Sequence, residues 1–213
     1  GELDVDELGR VLVRFPFSHD EAQLQSYGAT TQLYNSARVR VMQASAHSGY
    51  GDTMWPRKDA EVIVDFLDGH PDKPIIIGAT YNGQHAPATY AGRGALPANA
   101  PLTGLRTKEV AAERYSHLRF SDFTGQIGAQ IATDHAATQL NQGWLGTPHD
   151  NGQSKPRGEG FELATDASGA LRTARALLIS AFGRVQASGQ QLDRDETLAL
   201  MQECVTLFKE LGS

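Results

Sequence analysis

Apolar and polar positions alternate most clearly between Glu61 and Leu67, where Val62, Val64 and Phe66 fall on one side of a period-2 run and Ile63, Asp65 and Leu67 on the other. That period belongs to a strand with one mostly apolar face. Asp68-Gly69-His70-Pro71-Asp72 then supplies turn formers, and Ile75-Ile76-Ile77 restarts the strand at hairpin spacing. The same alternation marks Val11 to Phe15 and Ala37 to Met42, whose apolar residues are separated by Arg10, Leu12, Arg14, Arg38 and Arg40. With Glu61 to Leu67 and Pro74 to Gly78 this predicts four strands over residues 9–82, covered on one side and wet on the other. Short strands punctuated by Gly, Pro and Asn that close on themselves predict a small barrel.

Residues 83–104 lose periodicity and fill with Gly, Ala and Pro, so 83–114 reads as linker. A weaker β pattern returns from Tyr115 to about Arg184: Leu118 and Phe120 bracket Arg119, and Ile127, Ala129 and Ile131 alternate with Gly128 and Gln130. Residues 146–160 read as a long loop, and Asp166 to Gly169 as a turn between two strands. These strands are short of bulky residues. At roughly 25 cal/mol per Å² they bury too little apolar area alone, which predicts intertwining with identical chains. Leu118, Phe120, Ile127 and Ile131 are the candidate core of that assembly. From Asp193, an N-cap with Glu196 three residues on, a helix runs without Gly or Pro, and Leu198, Met201, Val205 and Phe208 form one apolar stripe. This candidate interface has two placements open to it: packed on its own domain, or on the axis of a trimeric coiled coil. The chain is thus divided into 1–82, 83–114, 115–184 and 185–213.

Composition narrows the chemistry. The 213 residues, 40% hydrophobic and 21% charged, are ordinary for a globular chain, and the longest apolar stretches are strand-sized. A net charge of −6 disfavours gripping phosphate backbones. The single cysteine, Cys204, excludes an internal disulfide framework. The seven histidines show no helical i, i+4 metal pair, although a trimer could gather three copies of His117 or His135 around its axis. Glu61, Asp65 and Asp68 lack a converging nucleophile or His and read as the wet face of a strand. Neither Gly92-Arg93-Gly94 nor Gly158-Glu159-Gly160 joins a strand to a helix, and Ser180 has no nucleophile-elbow context. No catalytic, cofactor-binding or metal-binding residue is assigned, and no enzymatic activity is expected. A barrel of this kind also has a second reading, a single-strand nucleic-acid module, with Arg10, Arg14, Arg38 and Arg40 as a basic stripe and Tyr50, Trp55 and Phe66 as stacking platforms.

The strand, acidic turn and strand at 56–78 (PRKDAEVIVDFLDGHPDKPIIIG), GRVLVRFPF at 9–17, ARVRVMQ at 37–43, LRFSDFTGQ at 118–126, the WPR at 55–57 and Tyr81-Asn82-Gly83 together carry a resemblance. They closely resemble the oligonucleotide/oligosaccharide-binding (OB) barrel and stalk of VgrG, the spike protein of bacterial type VI secretion systems. The resemblance implies a five-stranded OB barrel, an elongated trimeric β-stalk of β-prism or β-helix type and a C-terminal helix. It implies a homotrimer that carries a secreted effector, meets an Hcp-type tube protein and a PAAR-type tip protein, and touches membrane only as a puncturing assembly. It also implies assembly in the bacterial cytoplasm followed by secretion into target cells. Residues 43–54 are less rich in Gly and Trp than the family's usual loop, and the helix after Gln191 departs from a simple stalk. Gly1 and the end at Leu211-Gly212-Ser213 read as the ends of a fragment.

Overall fold

The computed structural model describes residues 2–15, 36–183, 186 and 188–212. The fold is mainly β, with one α-helix among the described residues near the C-terminus. Residues 1–166 form one compact unit and residues 167–213 a second.

Among the described residues the first unit holds two larger sheets and a two-stranded ribbon. In the first, β1 (Arg10–Arg14), β2 (Ser36–Val41), β5 (Glu61–Phe66) and β6 (Pro74–Thr80) lie in the order β1-β2-β6-β5, while β3 (Ala46–His47) and β4 (Tyr50–Gly51) make a separate two-stranded ribbon. β1 and β2 are antiparallel, β2 and β6 parallel, and β5 and β6 antiparallel. The four predicted strands fall where alternation put them. Val62, Val64 and Phe66 turn inward while Glu61, Ile63 and Asp65 face out. The core is Val11, Val13, Val39 and Ile76, with Val5, Phe15, Ala37, Val41, Val62 and Val64 packed around it. Asp68 adopts a left-handed backbone (φ 55°) in the predicted turn, and the Leu67 and His70 backbone bonds close it. Among the described residues β1 and β5 are the sheet's two edges, and a cavity of about 1420 Å³ lies between them, lined by Val11 to Arg14 from β1, by Phe15 next to it and by Val62, Val64 and Phe66 from β5. The predicted strand end Pro16-Phe17 and His19 lie outside the described residues.

The second sheet is a five-stranded antiparallel meander of β7 (Leu102–Lys108), β8 (Tyr115–Ser121), β9 (Gly128–Thr133), β10 (Gln139–Gly146) and β11 (Pro156–Ala164), each strand paired with the next. Two readings of the sequence are corrected here. The 83–114 segment is not linker throughout, because β7 pairs with β8 from Leu102↔Ser121 to Lys108↔Tyr115. Gly104 hides that strand from the sequence: at φ 149° its missing side chain lets the backbone approach the Leu118 carbonyl, where a Cβ would collide. The second correction is that β11 starts at Pro156, inside the expected loop, and regular pairing stops at Ala164. No strand follows over 170–181 among the described residues, and Leu171, Leu177 and Ile179 are exposed there.

The two sheets are clasped by Glu2. Its carboxylate accepts from Arg57 (3.2 Å) and from the Ala111 backbone N–H (2.6 Å), while Arg57 also donates to the Lys108 carbonyl at 2.6 Å. The neighbouring Trp55 lies against Gly9, so both ends of the Trp55-Pro56-Arg57 motif are structural.

In the second unit, α1 spans Asp195–Leu211. The Asp193 carboxylate accepts from the Asp195 backbone N–H at 3.1 Å, so the predicted capping residue acts one position before the helix's own N-cap, Arg194.

Candidate interface

Strand register places one apolar residue from every strand of the second sheet in a single row: Leu105, Leu118, Ile131, Leu140 and Leu163. The adjoining row is Thr103, Phe120, Ala129, Gln142 and Phe161. Side chains two apart along a strand share a face, so these rows form one surface of the sheet. It is open. Ile131 is 59% exposed, Leu163 70% and Phe161 77%, and Leu105, Leu118 and Phe120 are exposed as well. An apolar surface continuous over five strands marks an interaction site.

The opposite face is polar and covered by the chain's own loops. Gln130 donates from its amide to Gln139 Oε1 and Asn141 Oδ1, both at 2.7 Å, and Asn141 donates to Glu162 at 3.2 Å. With both amide hydrogens of Gln130 committed, its oxygen accepts from His117 Nε2 at 2.9 Å, which fixes the His117 tautomer and leaves Nδ1 buried without a partner among the described residues. Tyr115 stacks on His117 (centroids 5.6 Å) and Arg106 lies 3.7 Å above Tyr115. Arg119 donates to the Tyr90 carbonyl at 3.3 Å, and Asn99 ties Arg93 O to Gly152 N. Burial lowers the pKa of His117, with Gln130 opposing and the Arg119 and Arg106 charges adding to the shift. His149 is lowered by burial and then by Arg119. The Arg157 guanidinium holds Glu162 below the usual carboxylate range. The sheet therefore buries its polar side within its own chain and exposes its apolar side.

Of the predicted core residues, Leu118 and Ile131 are direct cross-strand partners and Phe120 shares their face. Ile127 lies just before β9, where its carbonyl accepts from Trp144 N. Leu105, Leu140, Phe161 and Leu163 complete the surface and were missed; single apolar residues among Gly, Thr and Gln give no strong alternation, and only pairing aligns them. On α1, Leu198, Met201, Val205 and Phe208 are all exposed, as are Leu200, Leu207 and Leu211.

The other chemical candidates resolve into structural roles. Arg10 pairs with Asp6 at 2.7 Å and Arg38 with Asp4 at 2.9 Å, so half of the basic stripe is internally neutralised. Tyr50 stacks on His47. Glu61 accepts from Asn82 at 2.7 Å, Asp65 from the Phe66 backbone, and Asp68 lies 3.9 Å from Lys73. The His117 of the suggested axial site is engaged on the covered face, and His135 accepts from Arg114 at 2.6 Å. Among the described residues no three His, Cys, Asp or Glu side chains converge, and no helix is long and apolar enough to cross a membrane.

Comparison with known proteins gives two family matches: residues 2–81 to the type VI secretion system/phage-baseplate injector OB domain, and residues 108–213 to the type VI secretion system Rhs element Vgr. The type VI secretion system spike protein VgrG2a of Pseudomonas aeruginosa is 38% identical over 215 residues, covering 99% of this chain and 23% of that protein. VgrG2b of the same organism is also 38% identical, over 99% of this chain and 19% of its own length. VgrG3 of Vibrio cholerae is 40% identical over 135 residues, 63% of this chain and 12% of its own length. A solved structure, "The VgrG spike from the Type 6 secretion system", aligns at 29% identity over 51% of this chain and 39% of that one, with a TM-score of 0.41. The chain spans about a fifth of the length of the first two relatives.

Proposed function

Because this chain belongs to the VgrG family of the type VI secretion system, we propose that it is a structural part of a homotrimeric spike, an OB barrel followed by the start of a β-stalk, with no reaction of its own. The observation that carries the reading is the inverted second sheet. A sheet that covers its polar face with its own loops and leaves the Leu105-Leu118-Ile131-Leu140-Leu163 row bare is built to meet another such surface. In a trimer the three copies of this face turn toward one another and become the stalk's dry interior. The exposed edges β7 and β11 lie beside edges of the neighbouring copies, which limits stray pairing. The first sheet, with its own apolar core and clasped to the second through Glu2, is the collar; closure of its β1 and β5 edges completes the barrel. In this reading an Hcp-type tube protein lies below, a PAAR-type protein at the tip, and a secreted effector travels with the spike. The spike assembles in the bacterial cytoplasm and leaves through the apparatus.

The test is mass in solution. Light scattering of the chain is expected to give three times the 23.0 kDa of one copy, and Leu118→Asp with Ile131→Asp to return it to a folded single copy. An unmutated chain that remains a single copy at all concentrations overturns the reading.

A further inference from the structure

Against the polar face of the second sheet lies a cavity of about 110 Å³, whose lining shares only Ala129 and Gln142 with the two rows assigned to assembly. Arg119 of β8, Gln130 of β9, Asn141 of β10 and His149 of the loop after β10 line it. His149 is 3% exposed and stacked on Phe123 at 4.8 Å, and its backbone carbonyl accepts from Gly92 and Arg93; neither ring nitrogen has a partner among the described residues. Arg119 is half-buried, and its one side-chain bond among the described residues is the 3.3 Å contact to the Tyr90 carbonyl. No carboxylate among the described residues pairs with it. The second cation on the lining, Arg157, is already matched by Glu162 at 3.1 Å. The cavity is thus lined by one partly desolvated positive charge that no carboxylate among the described residues matches, an imidazole with an unused N–H, and otherwise neutral groups or the matched Arg157. Such a charge is costly unless a counter-charge meets it, and the guanidinium's planar fork fits a carboxylate through two parallel hydrogen bonds.

We propose that this cavity is a carboxylate-binding site, in which Arg119 grips the two oxygens and the His149 ring N–H donates to one of them. The room available is that of a few waters or one small oxyanion, which excludes a nucleotide or a sugar phosphate. The carboxylate comes either from a free small acid or from an Asp, Glu or chain terminus of a second copy.

The experiment follows the ¹³C-labelled His149 ring and the Arg119 Nε–H signal by NMR as sodium acetate is titrated against sodium chloride at fixed pH and ionic strength, in both concentrated and dilute protein. A saturable acetate response of both signals is expected, at least tenfold weaker in Arg119→Lys and absent in Arg119→Met. A response at dilution only, with the concentrated sample already at the shifted position, assigns the carboxylate to a second copy; a response in both assigns a free acid. Equal, non-saturating drifts with acetate and chloride, or no response at either concentration in unmutated protein, overturn the proposal without touching the spike reading. The unmutated protein alone decides this, so a variant that fails to fold does not weaken the test.

Discussion

Gly104 and Gly143 set the spacing of the second sheet one residue at a time. Gly104 has φ 149° and Gly143 φ 91°, and a side chain on either would run into a facing backbone carbonyl, that of Leu118 in β8 for the first and that of Ile127 just before β9 for the second. Gly104→Ala is expected to cost about 1–3 kcal/mol in chemical unfolding, the size of a strained backbone position. Gly83→Ala, with open space around it, should be close to neutral. Neither role was legible in the sequence, where both glycines merely weaken a β pattern; Val62, Val64 and Phe66 were legible because their neighbours alternate without interruption. The buried imidazoles make a second residue-level prediction. The pKa values of His117 and His149 are depressed in the folded chain, so the unfolded chain binds protons first as pH falls. Stability is therefore full above the ordinary value of 6.5, declines as pH drops below it, and levels off once pH is under the folded values. Melting temperatures should fall between pH 7.5 and 5, and His117→Gln, which keeps a polar group beside Gln130, should flatten that slope. An unchanged slope in the variant assigns the effect elsewhere.

At the scale of elements, propensity and periodicity locate each described strand of the first sheet because each carries its own inward side. The second sheet is only half legible: Leu118, Phe120 and Ile131 mark β8 and β9, whereas β7 reads as linker because its register with β8 is what gives it a face. α1 was the clearest element of all, with its capping Asp193 and unbroken run to Leu211. What the pattern did not fix is what covers it. Phe208 is 76% exposed in the single chain, so Phe208→Ala is expected to leave the melting of dilute, separated chains nearly unchanged. If copies of the helix pack on one another, the same substitution should lower the melting temperature of the concentrated sample, with a stability loss of as much as ~3–5 kcal/mol for a fully buried Phe. A loss that is equal at both concentrations would mean that the stripe is covered within its own chain.

Across the whole molecule, apolar burial is distributed unevenly. Among the described residues, four of the five buried hydrophobic side chains, Val11, Val13, Val39 and Ile76, belong to the first sheet, whereas the second contributes Leu102 and leaves its larger apolar surface in water. A net charge of −6 and the pairing of Arg10 and Arg38 with Asp6 and Asp4 give that molecule little grip on a phosphate backbone. Labelled single-stranded DNA should accordingly bind no tighter than about 10⁻⁴ M at physiological salt, as read by fluorescence anisotropy. Tight binding lost on Arg38→Ala with Arg40→Ala would restore the nucleic-acid reading. The uneven burial leads to a sharper expectation about folding. A sheet whose main apolar face is completed only by other copies draws stability from mass action, and for a trimer a hundredfold dilution removes roughly 2 kcal/mol per chain. The first sheet has a core of its own and should be insensitive to dilution. Amide hydrogen exchange at two concentrations separates them: protection of Leu118, Ile131 and Leu140 should fall on dilution while that of Val39 and Ile76 persists. Equal protection of both sheets at every concentration would show that the second sheet stands without its copies, and the bare Leu105-to-Leu163 row would then lose its meaning as an interface.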